Sequence, residues 1–269
     1  MSSSRVDLLG SLKHLAARIN PFSDFAWAHH RASGLYFRIQ RRDVVGRHIL
    51  RYQDYEPALT AWLLDLFDQH AGDALFVDVG ANLGWFSLQA ARHRKVGRVV
   101  ALEPDVGNHA LLRANIERNG MGDRIDAIVC AAGPAAGVGK LYRYKSSNLG
   151  RHSLVIDHGH GGGWVMVEAL DTLLERLGIG DAPIAAIKID VEGYEPAVFA
   201  GASRTLRNAG ALIVELSRDG GLDLPAMIDA IAQMGFVPQV WDQDGPLPDI
   251  AALHAYPDQC TVGFRRNMA

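Results

Sequence analysis

Two glycines and a later acid are the residues of this chain best placed to hold a ligand. The sequence reads FVDVGANLGWF from Phe76 to Phe86, then VVALEP from Val99 to Pro104. Phe76, Val77 and Val79 read as a buried strand with Asp78 near its end. Gly80 and Gly84 have no Cβ, so the chain can turn sharply and a ligand can approach the backbone. Trp85, Leu88, Gln89 and Arg92 then follow at helical spacing, and the first N–H groups of such a helix have no internal partner. A second strand ends at Glu103, where Pro104 stops it. A carboxylate about 20 residues beyond a glycine loop can accept both ribose hydroxyls of an adenosine group. A nicotinamide dinucleotide needs G-x-G-x-x-G, so that its pyrophosphate can reach the backbone. Counted from Gly80, that pattern requires glycine at 82 and 85, where Asn82 and Trp85 stand. Asn82 would crowd a pyrophosphate but can hydrogen-bond an amino-acid group, and Asp78 suits an ammonium or a water. The residues favour S-adenosylmethionine over a dinucleotide.

Methyl transfer from a sulfonium is an in-line displacement, so the enzyme must align the acceptor. A hydroxyl acceptor must also lose its proton to a base within reach. The stretch KIDVEG at 188–193 offers Asp190 at a strand end. Asp190 has three open readings: base or acceptor contact, cofactor positioning, and structure. Glu192 is a second catalytic candidate, with capping of the following helix as the alternative. Glu215 sits in an otherwise apolar strand and needs a partner there; it either faces the acceptor or pairs with Lys188 or Arg218. Lys188 points to a polar edge or forms a buried ion pair. His152, His158 and His160 fall in a glycine-rich stretch, and a neutral imidazole is a natural base near neutral pH. His152 joins the catalytic candidates; the plain alternative for the stretch is an exposed loop. Two histidines one glycine apart invite a metal reading, but no third ligand stands at suitable spacing, so no metal ligand is assigned.

These side chains need a scaffold, and the composition permits one. The chain has 269 residues, 48% apolar and 21% charged, with net charge −3. That supports a sizeable core and gives no electrostatic case for nucleic acid. Asp190 is followed by Val191-Glu192, not by the Pro-Pro-aromatic loop of amine methylation. Cys130 and Cys260 are far apart, as suits a reducing cytoplasm. No window reaches the ~18 apolar residues of a spanning helix, and no signal peptide is read. From Asp73 on, strands alternate with helices, which means a parallel sheet between helical layers. Strands are predicted at 76–79, 98–103, 125–131, 185–190, 211–217, 236–241 and 260–265. Helices are predicted near 84–93, 107–118, 171–177, 194–207 and 225–234. Short extra strands at 140–144 and 165–168 form a small insertion around 138–168. Residues 1–72 read as an extension that packs on the 73–269 core. It holds an amphipathic helix over 5–19, suited to the core, to a partner or to a membrane surface. A hairpin follows, of Leu35–Ile39 with Val44–Tyr52, then a helix from Pro57 to His70. Arg38, Arg41, Arg42 and Arg47 cluster on that hairpin as a solvated face or an anion patch.

Several of these segments together resemble the FkbM-type methyltransferase family. They are YEP at 55–57, VDVGANLG at 77–84, EP at 103–104, Asn115, AAG at 131–133, NLGRHS at 148–153, KIDVEGYE at 188–195 and IVEL at 213–216. The resemblance implies an α/β class I (Rossmann-like) methyltransferase fold with helices on both faces. It implies S-adenosyl-L-methionine as cofactor and a sugar or specialised-metabolite hydroxyl as the usual acceptor. It places the cofactor on Asp78, Gly80, Ala81, Asn82, Gly84 and Glu103, with Glu56, Pro104, Ala131, Ala132 and Asp190 completing the set. Asn148 and Ser153 fall to the acceptor pocket. Many methyltransferases carry an acid after the third strand for the adenine amine. Ala131-Ala132 stand there instead, so backbone groups or a neighbour such as Asp126 must serve.

Overall fold

A computed structural model describes residues 24–145, 147–218, 223–243, 245–256 and 259–267. The helix expected over 5–19 lies outside the described residues. The chain opens with a hairpin, β1 (Phe25–His30) and β2 (Leu35–Gln40), paired antiparallel. Helices α1 (Val44–Tyr52) and α2 (Pro57–Gln69) follow. The core then begins with β3 (Ala74–Val79), α3 (Trp85–Arg92), β4 (Val96–Leu102), α4 (Val106–Arg118) and β5 (Ile125–Ile128). A three-stranded insertion contains β6 (Ala131–Ala132), β7 (Gly137–Tyr142) and β8 (Gly162–Glu168), with a 3-10 turn at Leu149–Arg151. The rest is α5 (Leu170–Arg176), β9 (Ile184–Ile189), α6 (Glu195–Ala200), α7 (Ser203–Arg207), β10 (Ala211–Leu216), α8 (Leu224–Gln233), β11 (Phe236–Trp241), α9 (Ile250–Ala255) and β12 (Cys260–Arg266).

Seven strands form the main sheet in the order β11-β12-β10-β9-β3-β4-β5. β9, β10, β3, β4 and β5 run parallel, while β12 lies antiparallel between β10 and β11. Every residue of β3 and of β10 is buried, as expected for strands covered on both faces. The direction of winding reverses between β3 and β9, and a crevice opens at the carboxyl ends of strands at such a switch point. The expected Rossmann-like α/β sheet with its small insertion is therefore present.

Four expectations are corrected. Val44–Tyr52 is a helix, not the second strand of a hairpin. Its β-branched start suggests a strand, but Asp43 caps it by accepting from the Gly46 N–H at 2.8 Å, and Val45, Gly46, Ile49 and Leu50 share a buried face. The hairpin lies one element earlier, so Arg41, Arg42 and Arg47 are not on it. The strand expected over 125–131 ends at Ile128, and Ala131-Ala132 instead pair with β8 in the small sheet. The single helix expected over 194–207 breaks at Gly201-Ala202. A Cβ on Gly201 would lie 2.0 Å from the Gly133 carbonyl oxygen. Asp171 then caps the second piece, accepting from the Arg204 and Thr205 amides. Finally, α9 was not expected.

Candidate active site

The loop after β3 is fixed by close approach. Gly80 has φ +81°, and a Cβ there would lie 1.9 Å from the Asp190 carbonyl oxygen. Only glycine lets the turn lie against the end of β9 in this way. The Asp190 N–H in turn donates to the Val79 carbonyl at 3.1 Å. Across the turn, Glu103 at the end of β4 accepts from the Asn82 N–H at 2.8 Å and from the Asp105 N–H at 2.9 Å. Each oxygen thus holds one backbone donor and keeps a second lone pair. Burial pushes this carboxyl up to about 8, against the pull of its two amide donors.

A cavity of about 350 Å³ opens at this point, within the size of small-molecule sites. Gly80, Asn82, Glu103, Pro104, Ala131, Ala132 and His152 line it. Glu56, Asp190, Glu192 and Glu215 complete the expected residues that border it. Three expected residues lie outside it. Asp78 and Ala81 border a small neighbouring void behind the loop. Asp78 is buried there, accepting from Ser87 Oγ at 2.6 Å with its Oδ1 unsatisfied. Gly84 borders neither; a Cβ on it would strike Leu112 and Leu88, so its place is in packing. Asp126 is not in the cavity and pairs with Arg98 at 2.6 Å.

The acids form the distinctive chemistry. Lys188 Nζ meets Asp190 Oδ2 at 2.7 Å and is 4% exposed, which makes it the buried ion pair rather than a polar edge. Burial opposes its charge, but Asp190, Asp78 and Glu56 outweigh that and hold the ammonium well above its ordinary range. Glu56 is pushed up to about 7 by burial, with Lys188 pulling the other way. Glu192 does not cap the next helix, which has no side-chain cap; Glu195 instead ties down the loop before it, accepting from the Val191 and Gly193 amides. Glu192 faces Arg151 at 3.5 Å, and burial and then Asp190 push it up to about 8. Glu215 pairs with neither Lys188 nor Arg218. It accepts from Gln259 Nε2, while Arg218 donates to the carbonyls of Tyr256 and His254. Burial, Asp190, Glu192 and Glu195 all raise the Glu215 carboxyl well above its ordinary range. One oxygen each of Asp190, Glu192 and Glu215 lies within 4.8 Å of the others.

His152 Nδ1 accepts from the Tyr144 N–H at 3.0 Å. That bond leaves the proton of the neutral ring on Nε2, so the second nitrogen of this cavity-lining residue is a donor and not a base. His158 stacks edge-on against Tyr144, and the exposed His160 borders an outer groove. Ser153 is buried and donates to the Glu192 carbonyl at 2.7 Å, while Asn148 lines the cavity. The cavity also takes in Asn108, Asp242, Gln259 and Thr261, which no local motif marks.

Comparison with known proteins follows the same outline. The family model described as the methyltransferase FkbM domain matches residues 78–238. The 31-O-demethyl-FK506 methyltransferase FkbM of Streptomyces tacrolimicus is 31% identical over 212 residues, covering 68% of this chain and 70% of that protein. Among solved structures, methyltransferase FkbM from Methylobacillus flagellatus is similar at 19% identity and TM-score 0.47 over 72% of this chain. The match takes in 44% of that protein, so the chain spans less than half its length. The METTL16 methyltransferase domain is similar at 12% identity and TM-score 0.50, over 88% of this chain and 76% of that one, and this likeness shows the fold alone.

Proposed function

The chain belongs to the FkbM methyltransferase family, and from that premise we propose that it moves a methyl group from S-adenosylmethionine to a hydroxyl of a small molecule or glycan. The observation that carries this reading is the meeting of Glu103 with Asp190, Glu192 and Glu215 around one cavity. Glu103 receives the ribose hydroxyls on the lone pairs its two amide donors leave free. The backbone of Gly80 and Asn82 borders the amino-acid portion, where Glu56 and Asp190 favour its ammonium. Bound there, S-adenosylmethionine supplies an electrophilic methyl carbon. Ala131 and Ala132 give adenine an apolar wall. Asp190, Glu192 and Glu215 act as one coupled group that takes up the acceptor's proton, and the His152 Nε2–H donates to an acceptor oxygen. A hydroxyl needs such a proton acceptor, which supports O-methylation over transfer to an amine.

Calorimetric titration with S-adenosylmethionine tests the first half. Saturable binding is expected in the wild type, with a loss of about 1.5–3 kcal/mol in Glu103→Ala, the worth of a hydrogen bond to a charged group. Wild-type protein that takes up no S-adenosylmethionine would overturn the reading. Incubation with labelled donor and a panel of sugars and metabolites tests the second half, since the label must appear on oxygen.

A further inference from the structure

We propose that Asp190, Glu192 and Glu215 together bind one divalent cation of the hard, oxygen-preferring kind, Mg²⁺ or Mn²⁺. Their three oxygens lie within 4.8 Å of one another. Hard cations take oxygen ligands at about 2.0–2.6 Å, so two ligands across one ion stand roughly two bond lengths apart. The 4.8 Å bound is slightly wider than the roughly 4.2 Å that two Mg²⁺ bonds span, so the three side chains need draw in by only a few tenths of an ångström to share one ion. The donors are carboxylates alone, which suits Mg²⁺ or Mn²⁺ better than a thiolate- or imidazole-seeking metal.

A second observation comes from the Glu215 side chain itself. Glu215 is 6% exposed. Its Oε1 has the Gln259 amide, but Oε2 is buried with no hydrogen-bond partner. A buried orphan oxygen in a native site asks for a missing donor or ion. The charges agree. Lys188 serves Asp190 and Arg151 serves Glu192, whereas among the described residues Glu215 has only a neutral amide. Once ionised, the three carboxylates outnumber the two cations beside them, and an ion would supply the missing positive charge. An ion there would leave positions for water or an acceptor oxygen and make that oxygen's proton easier to remove; the proton would pass to a carboxylate oxygen that the ion does not hold, since each acid offers it only one. That catalytic use rests on the function proposed above; occupation of the site does not.

The test uses the full chain and Mn²⁺ alone, with no methyl donor. Free Mn²⁺ is followed by its electron paramagnetic resonance signal during titration. One equivalent is expected to bind. Affinity should fall roughly tenfold or more in Glu215→Gln and in Asp190→Asn, and stay unchanged in His152→Ala. Circular dichroism checks that each variant folds, and Glu192→Gln replaces any that does not. Absence of saturable Mn²⁺ binding in the wild type, or undiminished affinity in a folded Glu215→Gln, overturns the proposal. Mn²⁺ binding in a protein that transfers no methyl group would leave the cation site standing and defeat the proposed function instead.

Discussion

Removing the Lys188 ammonium would strand Asp190, Asp78 and Glu56 without their shared positive charge. Breaking one side of a buried ion pair costs about 3–5 kcal/mol, and Lys188 is buried among all three acids. Lys188→Met is therefore expected to lower stability by about that amount, measured by urea unfolding. A loss under about 1 kcal/mol would mean that the acids simply take up protons when the lysine is gone. The sequence left Lys188 open between a polar edge and an ion pair, because alternation along a strand does not show what crosses to its neighbours. Asp190 and Glu192 were legible from KIDVEG, and Glu103 from its distance to the glycine loop. Asp242, Gln259, Thr261 and Asn108 were not: they reach the cavity from separated segments, and no local spacing records that meeting. Asp190 and Glu215 were legible as strand-end acids facing one site, but that they meet Glu192 in a single cluster follows from the pairing of β9 with β10 and not from any spacing in the chain.

At the scale of elements, Asp43 links the start of α1 to the segment over the cavity. Its Oδ2 caps α1 through Gly46, and its Oδ1 accepts from the Leu149 N–H at 2.7 Å. Asn108 at the start of α4 donates to the Leu149 carbonyl at 3.0 Å. The 3-10 turn is thus gripped on both sides by elements far from it in the chain. Asp43→Ala removes a cap, worth about 0.5–2 kcal/mol, and leaves the Leu149 amide without its acceptor. Stability should fall by about that much, and amide exchange at Leu149 and Gly150 should quicken more than in the core strands. Equal protection in the variant would show that Asn108 holds the turn unaided. The same aspartate decides the conformation of Val44–Tyr52. Two adjacent valines weigh toward a strand, yet one aspartate at the cap position and a tertiary role for it decide the helix. The core elements were easier to read, because buried parallel strands and their helices carry long, regular apolar patterns. The break at Gly201 was not legible, since it depends on the Gly133 carbonyl close by.

Taken as a whole, the molecule concentrates raised acids in and just behind one crevice. Glu103 and Glu192 are each pushed up to about 8, and Glu56 and Glu195 to about 7, with burial the first cause in every case. An acid whose folded pKa lies above its unfolded value holds more protons folded than unfolded, so stability falls as pH rises between the two. For these acids the window runs from about 4.5 to about 8, with roughly 1.4 kcal/mol per pH unit for each proton held. His30 and His152 act oppositely: burial lowers both below 6.5, so each adds stability as pH rises toward 6.5. Asp171 is also lowered, below 3.8, and its window closes before this range begins. Above 6.5 the acids stand without that offset. The melting temperature of the ligand-free protein is therefore expected to fall between pH 6.5 and 8.5, as scanning calorimetry in buffers of matched ionic strength would record. A cationic methyl donor favours the ionised acids, so its binding must release protons and tighten across the same interval. Titrations in two buffers of different ionisation enthalpy read that release directly. A melting temperature that rises over this range, or binding that releases no proton, would mean that the crevice acids are already ionised at pH 6.5.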